Sequence, residues 1–497
     1  DYDDMILPST VMIVSSIEQS NITTQSFDLS WLSSDTASTG VLYGTTENLE
    51  LGEVTNSDST MEHNLSLVGL NPGEFYYVKA FSVMDGDTAF SQTKIFSTES
   101  HSTGVMNVYF NGSVENSVSN GTNAVFLDNT FNDTIAAYID RAQKSVDLAV
   151  YNNSNPMILT AINNAYDRGV DVRYISCEST ANLVLSSLNP SIFLLKRPIG
   201  SGIMHNKFIV IDKGEVNDSW VITGSTNFSE NNLFDDYNNL VIIQDNTLAK
   251  AYTLEFEEMW GSTSLNYDLL NSKFGPNKLD NTPHDFIVGG SHIELYFSPS
   301  DNTTSKIIEV IESTDYQLRF GLLAFTREDI ANAIIDVNDN FGVDVKGLIN
   351  TTTGQYDQFS YLESNNVNVS PTTNIPHTFH HKYCIVDQNV SGSDPLVLTG
   401  SHNWSNSAEN DNDENTIIIH NQNIANQFFQ EFTARWYGAV DVLEVNKELD
   451  MLIYPNPNTG SFTMQINSSR NTPASTELKL SASRHSAIHA LGIKCSH

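Results

Sequence analysis

The sequence predicts an α/β core made of two similar halves, each a sheet flanked by helices, preceded by an all-β sandwich. Three observations predict it. A compound motif occurs twice, as His205-Asn206-Lys207 leading into Phe208 to Asp212, and as His380-His381-Lys382 leading into Tyr383 to Asp387. Each copy is followed by a glycine-serine block, Gly224-Ser225-Thr226-Asn227 and Gly400-Ser401-His402-Asn403, at offsets that differ by one residue. The order of strand-like and helix-like runs around the two copies also repeats, while the first hundred residues carry only short runs of the β period.

Residues 1–100 hold alternating runs such as Phe27-Asp28-Leu29-Ser30-Trp31 and Gly40-Val41-Leu42-Tyr43, split by Ser-, Thr- and Asn-rich turns. The stretch from Leu70 through Pro72 and Gly73 to Tyr77, with Trp31 upstream, resembles a fibronectin type III module, which implies an immunoglobulin-like sandwich. No catalytic constellation lies in it. It reads as a spacer or packing domain, with substrate or surface binding as the alternative.

Residues 101–262 read as the first half of the core. A strand at Met106–Phe110 is followed by a helical pattern from Thr134 to Ala142, a strand from Ser145 to Tyr151, a helix from Ile158 to Tyr166, and Gly169-Val170-Asp171-Val172. Residues 263–290, with Gly275-Pro276 and Thr282-Pro283, read as a linker. Residues 291–440 repeat the order with Ile293–Phe297, Ser305–Ser313, Gln317–Leu323 and Gly342-Val343-Asp344-Val345. A duplicated pair tends to associate about a pseudo-two-fold axis, which sets equivalent motifs face to face.

The motif residues suit a phosphate. His205 and Lys207 are two apart at the head of a strand, as are His380 and Lys382, so each pair shares a face. An imidazole beside an ammonium offers a nucleophile or proton carrier next to fixed positive charge. Asn227 and Asn403 add amide donors, and Ser225 and Ser401 add hydroxyls. Asp212 and Asp387 stand at odd spacing from their histidines and should point away as supports. One asymmetry stands out. Before the strand that follows each glycine-serine block, the second half carries Glu414 and the first half Asn238. A carboxylate there orients an imidazole and supports its charged form, and an amide supplies no charge. Spacing alone does not say which histidine each one meets.

The paired pattern His-x-Lys-x4-Asp and Gly-Ser-x-Asn resembles the signature of the phospholipase D superfamily, over roughly residues 104–440. The resemblance implies a phospholipase D-like fold and phosphodiester cleavage through a covalent phosphohistidine, without metal or other cofactor. It implies that His205 attacks phosphorus and His380 protonates the leaving oxygen. The catalytic set it carries over is His205, Lys207, Asp212, Asn227, His380, Lys382, Asp387, Asn403 and Glu414. Ser225, Ser401 and the two lysines are expected to bind substrate. The chemistry is coherent: a covalent intermediate divides one hard displacement into two, a second histidine serves as acid and then base, and Lys and Asn stabilise the oxyanions.

Lys+Arg is 24 against 60 Asp+Glu, a net charge of −36, which disfavours a general nucleic-acid surface. Three cysteines in 497 residues are no disulfide framework, and Cys384, inside the second motif, reads as a buried inert thiol. No apolar run is long enough for a transmembrane span. The start at Asp1-Tyr2-Asp3-Asp4 reads as a mature secreted form, at the cell surface or beyond it. His381 is expected to face away from the site in a structural role; His377 and His402 are left open between a pocket rim and a position outside the site. Phe228 and Trp404 read as packing, and the acidic run Glu409 to Glu414 as a solvated loop. In residues 441–497, Leu452 to Phe462 resembles the start of a type IX secretion sorting domain. The pattern fades after Asn467, and residues 469–497 read as a disordered end. The expected protein is a secreted monomer hydrolysing phospholipid at a membrane or micelle surface to phosphatidic acid and a headgroup alcohol, with transphosphatidylation to alcohols. The alternative is a phospholipase D-like endonuclease on DNA or RNA. A non-catalytic binding protein is disfavoured because no motif residue is missing.

Overall fold

The apolar runs behind both motifs are unbroken, Phe208-Ile209-Val210-Ile211 and Tyr383-Cys384-Ile385-Val386, so they read as strands buried on both faces. That is how they fold: Lys207–Ile211 and Lys382–Val386 are buried at every residue. The computed structural model describes residues 10–440, and the backbone of strands Asp450–Tyr454, Ser461–Asn467 and Glu477–Ser481. The chain divides into two units, Asp1–Val440 and Asp441–His497.

In the larger unit each motif strand lies at the middle of a mixed sheet. The first sheet runs Phe193–Arg197, Asp171–Cys177, Ser145–Val150, Lys207–Ile211, Trp220–Gly224, Asn239–Gln244, Met106–Phe110 and Val125–Phe126. The second runs Asn368–Pro371, Asp344–Ile349, Gln317–Leu322, Lys382–Val386, Leu396–Gly400, Glu414–His420, Ser291–Ser298 and Asp285–Val288. The first seven positions correspond one for one, so the duplication read from sequence is present in the topology. Helices Phe131–Arg141 and Pro156–Asp167 cover one face of the first sheet, and Thr303–Glu312 and Glu328–Asn338 cover one face of the second. The other faces meet in a single core that joins Phe208, Tyr252 and Phe256 of the first half to Phe297, Tyr383 and Phe428 of the second. Two long helices enter this core, Asn246–Trp260 and Gln422–Ala439. Asp245 and Asn421 cap them by accepting backbone N–H groups from Leu248 and Ile424 at 2.7 and 3.1 Å.

The sheets differ at one edge. The segment expected to be linker ends in the strand Asp285–Val288, which pairs antiparallel with Ser291–Ser298. Gly289 and Gly290 turn the chain between them at φ +56° and +79°, as a two-residue hairpin requires. Among the first hundred residues, six strands from Glu18–Ser20 to Lys94–Ser97 form one sheet, built on the long strand Ser26–Gly44. It is tied to the core by hydrogen bonds from Ser97 Oγ to the Asp285 carbonyl (2.8 Å), Ser100 Oγ to Asp245 (2.6 Å) and Lys250 Nζ to the Gly73 carbonyl (2.7 Å). Among the described residues no helix is long and apolar enough to cross a membrane.

The smaller unit contains an antiparallel sheet of Asp450–Tyr454, Ser461–Asn467 and Glu477–Ser481. The last strand corrects the expectation that regular structure ends at Asn467; its Glu-Leu-Lys-Leu-Ser alternation carries the β period. The start at Asp1 and the Pro455–Asn458 part of the sorting motif lie outside the described residues.

The halves are also joined by charge. Arg197 Nη1 of the first half meets Asp413 of the second at 2.7 Å, and Asp413 also accepts the Gly275 N–H at 2.7 Å. Arg197 is 4% exposed and Asp413 fully buried. Removing one partner of a buried pair leaves an uncompensated charge and costs about 3–5 kcal/mol. Arg197→Met should therefore lower unfolding free energy by about 3 kcal/mol in denaturant titration; a loss below about 1 kcal/mol would show that Asp413 does not depend on this partner.

Candidate active site

Each motif histidine stands just before its strand, and its backbone is bonded to the opposite half. His205 N–H donates to the Asp413 carbonyl at 2.9 Å, while Asp413 N–H donates to Ile203 at 3.0 Å. The same bridge recurs where His380 N–H donates to Tyr237 at 3.0 Å and Tyr237 N–H to Thr378 at 2.8 Å. The next residue after each bridging position supplies the side-chain partner. His205 Nδ1 lies 2.7 and 2.9 Å from the Glu414 oxygens, and His380 Nδ1 lies 2.9 Å from Asn238 Oδ1. The asymmetry seen in the sequence thus falls on the histidines crosswise: His205 has a carboxylate and His380 an amide.

The ring orientations are set by these partners. Asn238 donates its Nδ2 to the carbonyls of Asn232 (3.0 Å) and Asp236 (3.2 Å), which turns its oxygen toward His380. The Nδ1 of His380 therefore carries the proton, and so does that of His205 against the carboxylate. That leaves both Nε2 atoms with lone pairs and no hydrogen-bond partner among the described residues.

Ser225 and Ser401 do not fit the substrate-binding role expected of them. Ser225 Oγ donates to Asn238 Oδ1 at 2.9 Å and accepts the Asn239 N–H at 3.1 Å. Ser401 Oγ donates to Glu414 Oε2 at 2.6 Å and accepts the Asn415 N–H at 3.0 Å. Both hydroxyls are committed to holding the residues that hold the histidines. The preceding glycines are required by close approach: at φ +135° and +147°, a Cβ on Gly224 or Gly400 would meet the Asn239 or Asn415 carbonyl oxygen at 2.5 or 2.2 Å.

The lysines are buried, Lys207 at 2% and Lys382 at 1% exposure. Each donates to the carbonyl of its own histidine, at 2.5 and 2.6 Å. Among the described residues neither has an ion-pair partner. Burial pushes Lys207 down to about 7, and burial together with the Lys207 charge pushes Lys382 well below its ordinary value. Burial also lowers His205 to about 4, with Glu414 opposing and Lys207 assisting. His380 is lowered well below its usual value by burial and then by Lys382 and Lys207, with no carboxylate opposing. For Glu414, burial acts upward, but His205 and Lys207 outweigh it and hold the group near 2. Asn227 and Asn403 keep buried carbonyl oxygens without partners, so their amides are not committed to the fold.

Asp212 and Asp387 stand outside this group. Asp212 accepts the backbone N–H groups of Gln143, Lys144 and Ser145 at 2.6–3.0 Å, and Asp387 those of Asp315, Tyr316 and Gln317 at 2.6–3.0 Å. They fix the loops that enter the strands beside each motif strand, as supports, so their inclusion among the catalytic residues is corrected. His381 is buried, with Nδ1 3.0 Å from Asn239 Nδ2 and Nε2 3.2 Å from Glu431, a structural position. His377 is exposed at a cavity of about 410 Å³ lined also by Asp235, Asp236 and Thr378, a rim position. His402 is buried at 3% rather than at a rim. Phe228 and Trp404 are packed in the cores. Cys384 is buried, and burial pushes its thiol up to about 12. The acidic run is not a solvated loop: Glu409, Asp413 and Glu414 are buried, because Thr304, Arg197 and His205 need their oxygens. Sequence reasoning passes over Tyr151, whose ring stands edge-on to His205 at 5.1 Å, and Asn412, which donates to Glu414 at 3.1 Å. Tyr151 directly follows the strand Ser145–Val150 next to the first motif strand, a signal available only once the sheet order is known.

The family model described as cardiolipin synthase, PLD-like domain matches residues 135–260 and 307–436. The mitochondrial cardiolipin hydrolase of Xenopus tropicalis is 33% identical over 141 residues, covering 28% of this chain and 63% of that protein. A phospholipase D of Rickettsia felis is 38% identical over 122 residues, covering 24% of this chain and 58% of that protein. The chain thus spans less than two thirds of the length of these curated relatives. Among solved structures, the phospholipase D family member Nuc from Salmonella typhimurium aligns with 28% identity over 29% of this chain and 94% of that one, at a TM-score of 0.26.

If the serines position rather than bind, Ser401→Ala and Ser225→Ala should lower kcat about tenfold and leave KM within about twofold. A KM that rises alone, at unchanged kcat, would return the hydroxyls to substrate contact.

Proposed function

The chain belongs to the phospholipase D-like family, and from that premise we propose that it is a phospholipase D, hydrolysing phospholipid to phosphatidic acid and a headgroup alcohol. The observation that carries this reading is the pair of buried ammoniums, Lys207 and Lys382, which among the described residues have no ion-pair partners and stand beside two free imidazole Nε2 atoms. Buried charge of one sign calls for a complement of the other, and a phosphodiester supplies it.

In the proposed reaction His205 Nε2 attacks phosphorus, and His380 Nε2–H gives its proton to the departing headgroup oxygen. A P–N bond forms and a P–O bond breaks. Glu414 on Nδ1 offsets the positive charge of the phosphorylated ring. Lys207, Lys382, Asn227 and Asn403 hold the non-bridging oxygens. Water, deprotonated by His380, then attacks phosphorus and releases phosphatidic acid and free His205. A primary alcohol in place of water gives a transphosphatidylated product.

Lipid is favoured over nucleic acid by the charge of −36 and by Asp235 and Asp236 in the cavity lined also by His377 and Thr378, a poor surface for a polyanion. Secretion, a monomeric state and the sorting role of the tail are part of the same proposal. For the N-terminal sheet, a fibronectin type III-like identity is supported by the Asn71 N–H donated to the Tyr76 hydroxyl at 2.8 Å, a tyrosine-corner bond.

The direct experiment offers phosphatidylcholine and plasmid DNA side by side to the wild type and to His205→Ala and His380→Ala. We expect choline and phosphatidic acid from the wild type, intact plasmid, and a loss of about a thousandfold or more in each variant. Plasmid cleavage with untouched lipid would establish the nuclease. An activated p-nitrophenyl diester, which needs no acid, should partly rescue His380→Ala and leave His205→Ala dead; the opposite pattern exchanges their roles.

The pH profile follows from the shifts. His380 must carry a proton, and its pKa in the fold lies well below 6.5, so its active fraction falls as pH rises through that low value. With phospholipid, kcat/KM should therefore peak below pH 6.5 and decline on the alkaline side. With the activated diester the decline should wait for Lys207, near pH 7. Coincident alkaline limbs for both substrates would remove His380 from the acid role.

A further inference from the structure

A second cluster lies far along the chain from either motif pair. A cleft of about 1030 Å³ opens between the N-terminal sheet and the second half, lined by Asp280, Thr282, His284 and Asp301 among others. One ligand atom from each of Asp280, His284 and Asp301 lies within 4.8 Å of the others. We propose that these three side chains form a binding site for one divalent transition-metal ion of the zinc class.

The imidazole is prepared for it. His284 Nδ1 lies 2.8 Å from the Leu295 carbonyl oxygen, which can only accept, so Nδ1 carries the ring proton. A backbone carbonyl on the far nitrogen is the usual outer support of a metal-bound imidazole. The ring is further fixed by stacking on Tyr296, with centroids 4.7 Å apart at 19°. Its Nε2 then faces Asp280 Oδ1 at 3.1 Å. A nitrogen lone pair and a carboxylate oxygen repel at that separation unless a cation or a proton lies between them. Two ligands of a tetrahedral zinc, each about 2.0–2.1 Å from the ion, stand roughly 3.3 Å apart.

Asp301 adds the stronger demand. It is 8% exposed, and among the described residues no lysine, arginine or histidine lies within ion-pair distance of it. Among the described residues its oxygens accept the Phe297 N–H at 2.7 Å and the Ser300 hydroxyl at 2.6 Å. The nearby ammoniums are engaged elsewhere, Lys278 on Glu255 at 2.6 Å and Lys306 on Glu294 and Glu309 at 2.9 and 2.8 Å. The Asp301 carboxylate is offset in part by a protonated His284 ring, and a divalent ion held between the three side chains offsets it more fully. An independent sign is Thr282, between Asp280 and His284. It is 4% exposed, its hydroxyl has no hydrogen-bond partner among the described residues, and it lines the same cleft.

One imidazole with two carboxylates suits zinc better than calcium, which prefers an all-oxygen shell. The neighbouring group His292, Glu294 and His420 does not compete on equal terms. There Glu294 already takes the Lys306 ammonium and the Tyr296 hydroxyl, at 2.9 and 2.7 Å, and His420 is held between Glu294 and Asp394 at 3.0 and 2.7 Å.

The test is calorimetric titration of zinc chloride into the chelator-stripped full chain. The wild type should bind one zinc tightly. Asp280→Asn, at an exposed residue that the fold tolerates, should bind at least tenfold more weakly, and His292→Gln should bind like the wild type. Zinc should also raise the thermal midpoint of the wild type by about 3 °C or more, and that of Asp280→Asn by much less. The proposal is overturned if the wild type shows no tight site, leaving His284 as an imidazolium between two aspartates. It is equally overturned if Asp280→Asn keeps the site, if His292→Gln loses it, or if calcium binds more tightly than zinc.

Discussion

The contact from His205 Nδ1 to Glu414, 2.7 Å long, is the constraint on which the centre of this molecule depends. Glu414 is fully buried, and a buried carboxylate persists only when paired and hydrogen-bonded. Its pairing comes from the other half of the chain, through His205. Its remaining capacity is taken by Ser401 and Asn412. Neither half can complete this arrangement by itself. The parallel bridges at Met204–Asp413 and Tyr237–Phe379 hold the two frames in register, so each imidazole is aimed by the half to which it does not belong.

The mirror contact is deliberately weaker in charge. Asn238 gives His380 orientation without any support for its protonated form, so the two imidazoles share a pocket and differ in proton affinity. The lysines beside them are held below their ordinary values by burial, and Lys382 also by the Lys207 charge. An empty site of this kind stores unfavourable electrostatic energy that an anion releases. In this account the substrate's own charge completes the network, and groups that violate the usual rule of paired burial mark the place where chemistry happens.

Much of this was legible in the residues. The doubled offset from His-x-Lys to Gly-Ser-x-Asn predicts two equivalent strands, and seven matched strand positions answer it. The supporting role of Asp212 and Asp387 follows from their odd spacing, since neighbours along a strand face opposite ways. What was not legible depends on distance in sequence. The crosswise choice of partners is a property of the interface, and no local pattern encodes it. The serines looked like ligands because a hydroxyl beside an amide suits phosphate, yet each meets, across the paired strand, a residue that needs a donor. The acidic run looked solvated on composition, but its carboxylates are the acceptors that Arg197, His205 and Thr304 require. The Gly289-Gly290 hairpin and the strand Glu477–Ser481 carried ordinary local signals that a reading of linker and tail as irregular passed over.

The central claim is that two histidines from opposite halves divide one displacement at phosphorus into two. The most direct test is stereochemical: a phosphodiester made chiral at phosphorus is turned over, and the configuration of the product is compared with that of the substrate. Attack by His205 followed by attack of water or alcohol inverts phosphorus twice, so the account predicts overall retention. Overall inversion would mean a single direct displacement, and would contradict the covalent route on which the roles of His205, His380 and Glu414 rest.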